Sequence, residues 1–272
     1  MLHKTKKYAV VGHPIKHSKS PIIHQSFAKE FGLDLSYDQV DITPQFFSRE
    51  IQNLKEQGYL GVNVTLPFKK DAFNLCDELS KKSKLTESVN TLSFKENKCL
   101  GDSTDGIGLI EDLRKKNIKL DGAKILLLGA GGAANGVTFD LISQHPKTLH
   151  ILNRTFKNAE LMQNKWVGLA QEKHVHLDAI QLKDFEGKYD LIINATSAGL
   201  VGNKLPIPED YFNKETLYYD MTYGIETPFM TASKAKGAKT FDGVGMLIEQ
   251  AAESFQIWHN LKPNTLNIAE KL

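Results

Sequence analysis

The stretch "KILLLGAGGAANG", residues 124–136, limits the fold more than any other part of the chain. After Lys124 come one isoleucine and three leucines with no polar alternation, and the run then breaks into glycine and alanine. An apolar run of this kind suits a strand covered on both faces, as in a parallel sheet with helices on either side. Gly129, Gly131 and Ala134 spell G-x-G-x-x-A. In such a turn the first glycine permits the tight bend and the second lets the backbone approach a pyrophosphate. The alanine lets the next helix pack close, and free N–H groups at the helix start face the anion. A glycine-rich turn can also exist for packing alone; a strand before it and a helix after it favour the dinucleotide. Ala130, Gly132 and Ala133 fill the same turn and join the candidate cofactor-binding set.

The next strand indicates which dinucleotide. A site for NAD carries Asp or Glu roughly 20 residues on, for the ribose 2′-hydroxyl. Here the sequence is "ILNRTFKN", residues 151–158. Asn153 can hydrogen-bond the ribose, Arg154 can grip a 2′-phosphate through its planar fork, and Thr155 adds a hydroxyl. An arginine at a strand end is ordinarily just surface. Downstream of the Gly129 turn it points to NADP(H).

Around this centre, short β-branched runs alternate with longer amphipathic ones, which predicts an α/β chain in two units. In the first, residues 1–104, strands are expected at "YAVVG", "SYDQVDI" and "GVNVTL". Helices are expected near 21–31, 44–57 and 68–76, with a hairpin from "VNTLSF" to "KCLGD". The second, residues 105–245, opens with the helix "DGIGLIEDLRKK" and continues through strands "KILLLG", "TLHILN", "DLIINA", "LYYDMT" and "AKTFDG". The last helix, in 246–272, has apolar positions spaced to pack back on the first unit.

Composition excludes several function classes. The 272 residues include 34 basic and 32 acidic ones, a net charge of +2 with no concentrated field, so nucleic acid is not an expected partner. The runs "HKTKK" and "KKSK" read as solvated surface. Cys76 and Cys99 are the two cysteines, with no C-x-x-C and no grouping with histidine, which indicates no disulfide framework, no metal site and a reducing cytoplasm. No stretch reads as a leader or a membrane span.

Two segments of the first unit carry candidate chemistry. "NVTLPFKKD" puts Asn63 and Thr65 on alternate positions of a strand end and starts a helix near Lys69. A lysine there feels the positive end of the helix dipole, a setting that suits proton transfer. "GDSTDGIG" puts Asp105 at a helix start where the two units join. Each has an ordinary alternative, a solvated lysine and a plain helix cap. Together they make a plausible acid–base dyad.

"GHPIKHSKSPIIH", "GVNVTLPFK", "SVNTL", "STDGIG", "GAGGAA", "NRT", "NATSAG", "DMTYG" and "DGVGMLIEQAAESFQIW" follow one another over nearly the whole chain. In this order they resemble the shikimate dehydrogenase family. The resemblance implies an α/β substrate domain with a mainly parallel sheet, a Rossmann-type NADP domain, and an active site in the cleft between them. It implies reversible NADPH-dependent reduction of 3-dehydroshikimate to shikimate, on the route to chorismate and the aromatic amino acids, by a cytoplasmic monomer or homodimer with no metal requirement. By the same resemblance Lys69 and Asp105 are catalytic. Ser18 and Ser20 hold the substrate carboxylate, and Asn63, Thr65, Asn90, Asp105, Tyr223 and Gln250 bind the ring hydroxyls. Thr196, Ser197, Met221 and Gly245 surround the cofactor. Hydroxyls and amides suit a polyhydroxy acid, which offers many neutral donors and acceptors. His17 is expected to be structural. The chain departs from the family pattern at Gln25, Asn135 and Asn158; a second basic residue often stands at 158, and Lys157 lies beside it. Three neighbouring readings are a quinate-accepting relative, a catalytically silent NADPH-binding regulator and a folate-type dehydrogenase. Arg154, the Lys69–Asp105 pair and the "HSKSP" and "STDG" segments speak against them in turn.

Overall fold

Strand order separates the chain into two sheets, each served by its own helices. The computed structural model describes residues 5–185, 187–196, 198 and 207–272. One unit comprises Met1–Gly108 with Leu247–Leu272 and the other Leu109–Met246.

The first unit holds β1 (Lys6–Gly12), α1 (Ser20–Glu30), β2 (Leu35–Asp41), α2 (Phe47–Glu56), β3 (Tyr59–Val64) and α3 (Lys69–Leu75). It continues with β4 (Glu78–Leu79), α4 (Lys81–Thr86), β5 (Thr91–Lys95), β6 (Lys98–Asp102) and the start of α5 (Asp105–Lys115). The sheet order is β2-β1-β3-β5-β6-β4. β1 runs parallel to β2 and β3, and β4 runs parallel to β6, whereas β5 lies antiparallel to both its neighbours. The β5–β6 turn is two residues, Glu96 and Asn97, with φ of 49° and 62°. Two left-handed residues in sequence give a turn whose twist matches a hairpin.

Successive residues of β1 point to opposite faces, so "YAVV" is buried on both. Ala9 and Val11 join Phe47, Ile51, Leu54, Phe68 and Ala72 from the α2 and α3 side. Tyr8 and Val10 join Ile15 and Tyr37 on the other. That second face is closed by the chain's last helix, α9 (Val244–His259), whose part from Leu247 onward belongs to the first unit. The Trp258 indole stacks on Tyr8 at 4.5 Å and donates its Nε1–H to the Leu92 carbonyl at 3.0 Å. A side chain on Gly61 would lie 2.4 Å from that indole nitrogen, so glycine is what lets the ring reach the strand.

The second unit holds the rest of α5 and β7 (Lys124–Leu128), α6 (Gly132–Ile142), β8 (Thr148–Leu152), α7 (Phe156–Glu172) and β9 (His176–Ile180). Then come β10 (Leu191–Asn194), β11 (Leu217–Asp220), α8 (Pro228–Ala235), β12 (Thr240–Phe241) and the first residues of α9. Every strand pair is parallel, in the order β12-β11-β10-β7-β8-β9. Counted from β7, this is the doubly wound 3-2-1-4-5-6 arrangement, with β7 and β10 at the point where the winding reverses. In β7, Ile125 and Leu127 enter a layer with Ala134, Val137, Leu141, Met162 and Trp166. Leu126 and Leu128 enter the opposite layer with Tyr218, Phe212 and Phe229. Burial on both faces is the physical reason for the unbroken apolar run. No helix among the described residues is long and apolar enough to cross a membrane.

Candidate active site

In the first unit, the ends of several β-strands and the starts of three helices bring polar side chains together. Gly12 ends β1, and a side chain there would lie 2.5 Å from Thr65 Cγ2 and 3.2 Å from the Leu66 carbonyl oxygen. Its absence lets the "GHPIKHSKSP" loop pass close to the end of β3. That loop is tied down where His13 Nδ1 meets Asp41 Oδ1 at 2.6 Å, an interaction that holds the Asp41 carboxyl below its ordinary range. Ser18 Oγ donates to Ser20 Oγ at 3.2 Å, and Ser20 begins α1. His17 is exposed.

Beyond β3 the chain turns at Pro67, and Lys69 opens α3. Its Nζ donates to Asp105 Oδ2 at 2.6 Å, with the lysine side chain 22% and the aspartate side chain 8% exposed. The other carboxylate oxygen, Oδ1, accepts from Asn90 Nδ2 at 3.1 Å. Asn90 is the hub of the site. Its Nδ2 also reaches Thr104 Oγ1 at 2.9 Å and Gln250 Oε1 at 3.2 Å, while its Oδ1 accepts the Thr104 backbone N–H at 2.9 Å and Thr91 Oγ1 at 3.0 Å. Backbone bonds from Val64 N to Asn90 O, and from Asn90 N to Asp102 O, lock this residue between β3 and β6. Asn63 is likewise buried: its Oδ1 accepts from Tyr37 at 2.7 Å, and its Nδ2 faces Ser254 Oγ at 3.0 Å and Thr91 Oγ1 at 3.2 Å. The result is one continuous polar network, nearly all of it buried, with Lys69 at its more open end. Such a network fixes side-chain positions because any displaced member leaves a buried partner unsatisfied.

Thr104 and Ser254 are members that sequence reasoning did not single out. Thr104 lay inside the quoted "STDGIG" segment, and Ser254 stands four residues after Gln250, one turn on along the same face of α9.

In the second unit, Gly129 follows β7 with φ of +109°, and a Cβ there would lie 3.2 Å from both the Ala195 carbonyl oxygen and Thr196 Cγ2. Both the left-handed backbone and the close approach to the β10 loop demand glycine at this position. Gly131 caps α6 without a side-chain hydrogen bond, and no atom lies within 4 Å of a Cβ built at Gly131 or Gly132. The helix start, with Ala133 in its first turn, therefore presents bare N–H groups to open space, as a phosphate requires. Ala130 lies in the turn itself and is half-buried. At the end of β8, Asn153 Nδ2 donates to the Thr155 carbonyl at 2.9 Å; Arg154, Thr155 and Lys157 are exposed. Lys157 faces Glu160 across 3.8 Å.

At the ends of β10 and β11, Thr196 donates both its N–H and its hydroxyl to Asn194 Oδ1, at 3.1 and 2.7 Å. Asn194 in turn donates to the buried Asp220 at 3.0 Å. Met221 is joined to this cluster through its N–H to the Asn194 carbonyl. Tyr223 follows in the same unit, and burial pushes its hydroxyl pKa upward. Gly245 faces Asp112: a Cβ would lie 1.8 Å from Asp112 Oδ1, while Asp112 Oδ2 accepts from Tyr219 at 2.7 Å. Asp112 thus lies against the start of α9 while bonded to β11, another contact the sequence alone does not reveal. Ser197 lies outside the described residues.

Three family descriptions match the chain in order. These are the shikimate dehydrogenase substrate binding domain over residues 10–92, shikimate/quinate 5-dehydrogenase over 112–203, and the shikimate 5′-dehydrogenase C-terminal domain over 243–272. A shikimate dehydrogenase (NADP(+)) of Methylobacillus flagellatus is 43% identical over 272 residues, covering 98% of each chain. This chain belongs to the shikimate dehydrogenase family. Among solved structures, an Ael1 enzyme from Pseudomonas putida superposes with a TM-score of 0.90 at 35% identity, covering 98% of both chains. The Thermus thermophilus shikimate 5-dehydrogenase in complex with NADP(H) and shikimate superposes with a TM-score of 0.88 at 31% identity, again over 98% of each. The Gly129 turn and the Lys69–Asp105 pair lie in separate units.

Proposed function

We propose that this chain is a shikimate dehydrogenase that catalyses the reversible NADPH-dependent reduction of 3-dehydroshikimate to shikimate. The observation that carries the proposal is the Lys69 ammonium held 2.6 Å from a nearly buried Asp105, itself fixed by Asn90, in a family whose members include NADP(+) enzymes. The first unit is read as the substrate domain and the second as the cofactor domain. The second unit suits NADP(H): Gly129 shapes the turn, the open space at Gly131 and Gly132 would admit a pyrophosphate, and Asn153, Arg154, Thr155 and Lys157 are assigned to the 2′-phosphorylated ribose. Thr196, Met221 and Gly245 are assigned to the nicotinamide surroundings.

Held by the Gly129 turn and the residues after β8, bound NADPH would supply the hydride for the C3 carbonyl carbon. Lys69 carries three N–H donors, and the bond to Asp105 engages one, so the ammonium can donate another to the carbonyl oxygen. As negative charge develops there, that hydrogen bond strengthens and the proton passes to oxygen, giving the C3 hydroxyl. Asp105 keeps the amine in place before transfer; in the oxidative direction the neutral amine takes the proton back. Ser18 and Ser20 are assigned to the substrate carboxylate, and Thr65, Asn90, Asn63, Tyr223 and Gln250 to its hydroxyls. Free thiols at Cys76 and Cys99 agree with a cytoplasmic setting, which we also propose.

The test is NADPH formation with shikimate against quinate, each repeated with NAD. Shikimate with NADP should give the highest kcat/KM. A higher value with quinate, or with NAD, would reassign the substrate or the cofactor.

A further inference from the structure

The outer strands of the second unit carry a cluster that dehydrogenase chemistry does not use. His150 lies in β8, and His176 and Asp178 lie in β9, the edge strand of the sheet. In the parallel register His150 is directly opposite Asp178, and His176 is two residues before it, so all three share one face. One ligand atom from each residue lies within 4.8 Å of those from the other two. His176 Nε2 is 2.9 Å from Asp178 Oδ2, and the two imidazoles meet edge to face with centroids 5.9 Å apart.

Two of the three side chains are held by hydrogen bonds from neighbouring residues. The Tyr189 hydroxyl sits 2.8 Å from His150 Nδ1 and fixes the ring. Gln163 donates its Nε2 to Asp178 Oδ1 at 2.9 Å and is itself held, with the same nitrogen on the Leu177 carbonyl and its Oε1 accepting the Ala179 N–H. Hydrogen bonds of this kind hold metal ligands in place and set their basicity in built metal sites.

We propose that His150, His176 and Asp178 form a binding site for a divalent transition-metal ion of the zinc class. Two imidazoles and one carboxylate select Zn²⁺, Ni²⁺ or Cu²⁺ over the hard cations Mg²⁺ and Ca²⁺, which prefer oxygen ligands throughout. Tetrahedral zinc with bonds of about 2.1 Å places its ligand atoms about 3.4 Å apart. Metal binding requires side-chain rotations that bring ligand atoms now within 4.8 Å of one another to that spacing and exchange the His176–Asp178 hydrogen bond for two metal bonds. The fourth position is left to water, because the face is partly exposed. The ion joins β9 to β8 through side chains, and so clamps the sheet's edge strand.

Untagged, EDTA-treated protein titrated with ZnCl₂ in a calorimeter should bind one equivalent saturably, and CoCl₂ should produce the visible absorption of a four-coordinate site. His176→Ala and Asp178→Asn, both at partly exposed positions, should each weaken zinc at least roughly tenfold, the loss expected when one of three protein ligands goes. Saturating zinc should raise the wild-type melting temperature by about 2 °C or more and leave His176→Ala unmoved. Wild-type and variant proteins that bind zinc equally, or wild-type protein with no saturable first equivalent, would overturn the proposal. Shikimate oxidation need not change in any arm, so the outcome is separate from the activity assay.

Discussion

Asn90→Ala removes the residue on which the first unit's polar network turns. Its Oδ1 satisfies the N–H of Thr104, a residue with no exposed surface, and its Nδ2 supports the Asp105 carboxylate. Orphaning a buried N–H costs about 1–3 kcal/mol, and a hydrogen bond to a charged group is worth about 1.5–3 kcal/mol. Lys69 still pairs with Asp105 in the variant, and members of one network do not add. The expected loss is therefore about 3 kcal/mol, below the simple sum. Urea unfolding followed by Trp258 fluorescence reads this unit specifically, because the chain's other tryptophan, Trp166, lies in the second unit and can be replaced by phenylalanine in both proteins. With a slope of about 2–3 kcal/mol/M, the midpoint should fall by about 1 M. In the folded variant kcat should drop by roughly tenfold or more, since a loosened Asp105 no longer positions the ammonium, while the KM for NADP stays unchanged. A midpoint within about 0.2 M of wild type and an intact kcat would refute the reading of Asn90 as the hub.

Arg154→Ala should raise the KM for NADP by roughly ten- to a hundredfold and leave that for NAD nearly unchanged, because only NADP carries the 2′-phosphate; equal loss with both would make the arginine structural. Ser18→Ala and Ser20→Ala should weaken shikimate more than NADP, which binding titrations with each ligand can compare. His24, fully buried, stacks on Tyr37 at 4.3 Å, and burial, then the neighbouring His259, lowers its pKa from 6.5 to about 3 against a smaller opposing effect of Asn63. The unfolded chain therefore takes up this proton first as pH falls, so its contribution to stability is intact above about pH 6.5 and is lost progressively towards pH 3, by about 1.4 kcal/mol per pH unit at most. His24→Phe should flatten the stability profile across that window by a corresponding amount; parallel profiles for the two proteins would contradict it.

The features readable in the sequence are those carried by local pattern. The β7 run, the Gly129 turn and the β5–β6 hairpin announce themselves through burial on both faces, a demanded left-handed glycine and a two-residue turn. "KKSK", read as solvated charge, does expose Lys81 and Lys84, but it also opens α4, with Ser80 as its cap and Ser83 and Thr86 buried, an element the charge run does not announce. The charged side chains mask a helix whose inward face is small and polar. β4, two residues long, is too short for any period to register. In the first sheet, β5 reverses direction against β3, which strand composition does not encode. The candidate site was readable as residue types but not as connections: Asn90 and Gln250 are 160 positions apart, and Asp112 and Tyr219 are 107 apart. The His150–His176–Asp178 cluster escaped for the same reason, since strand register, not sequence spacing, brings it together.

The most direct measurement of the proposed chemistry is steady-state shikimate oxidation by Lys69→Ala beside Lys69→Arg. Loss of a positioned proton-transfer group costs about 10²–10⁴ in rate, whereas loss of a binding contact raises KM and preserves kcat. Lys69→Ala is expected to lose at least a hundredfold in kcat while still binding shikimate and NADP. Lys69→Arg should recover little, because a guanidinium keeps its charge but does not release its proton near neutral pH. A Lys69→Ala enzyme with near-normal kcat and only a raised KM would mean that the lysine holds the substrate and the proton travels by another route.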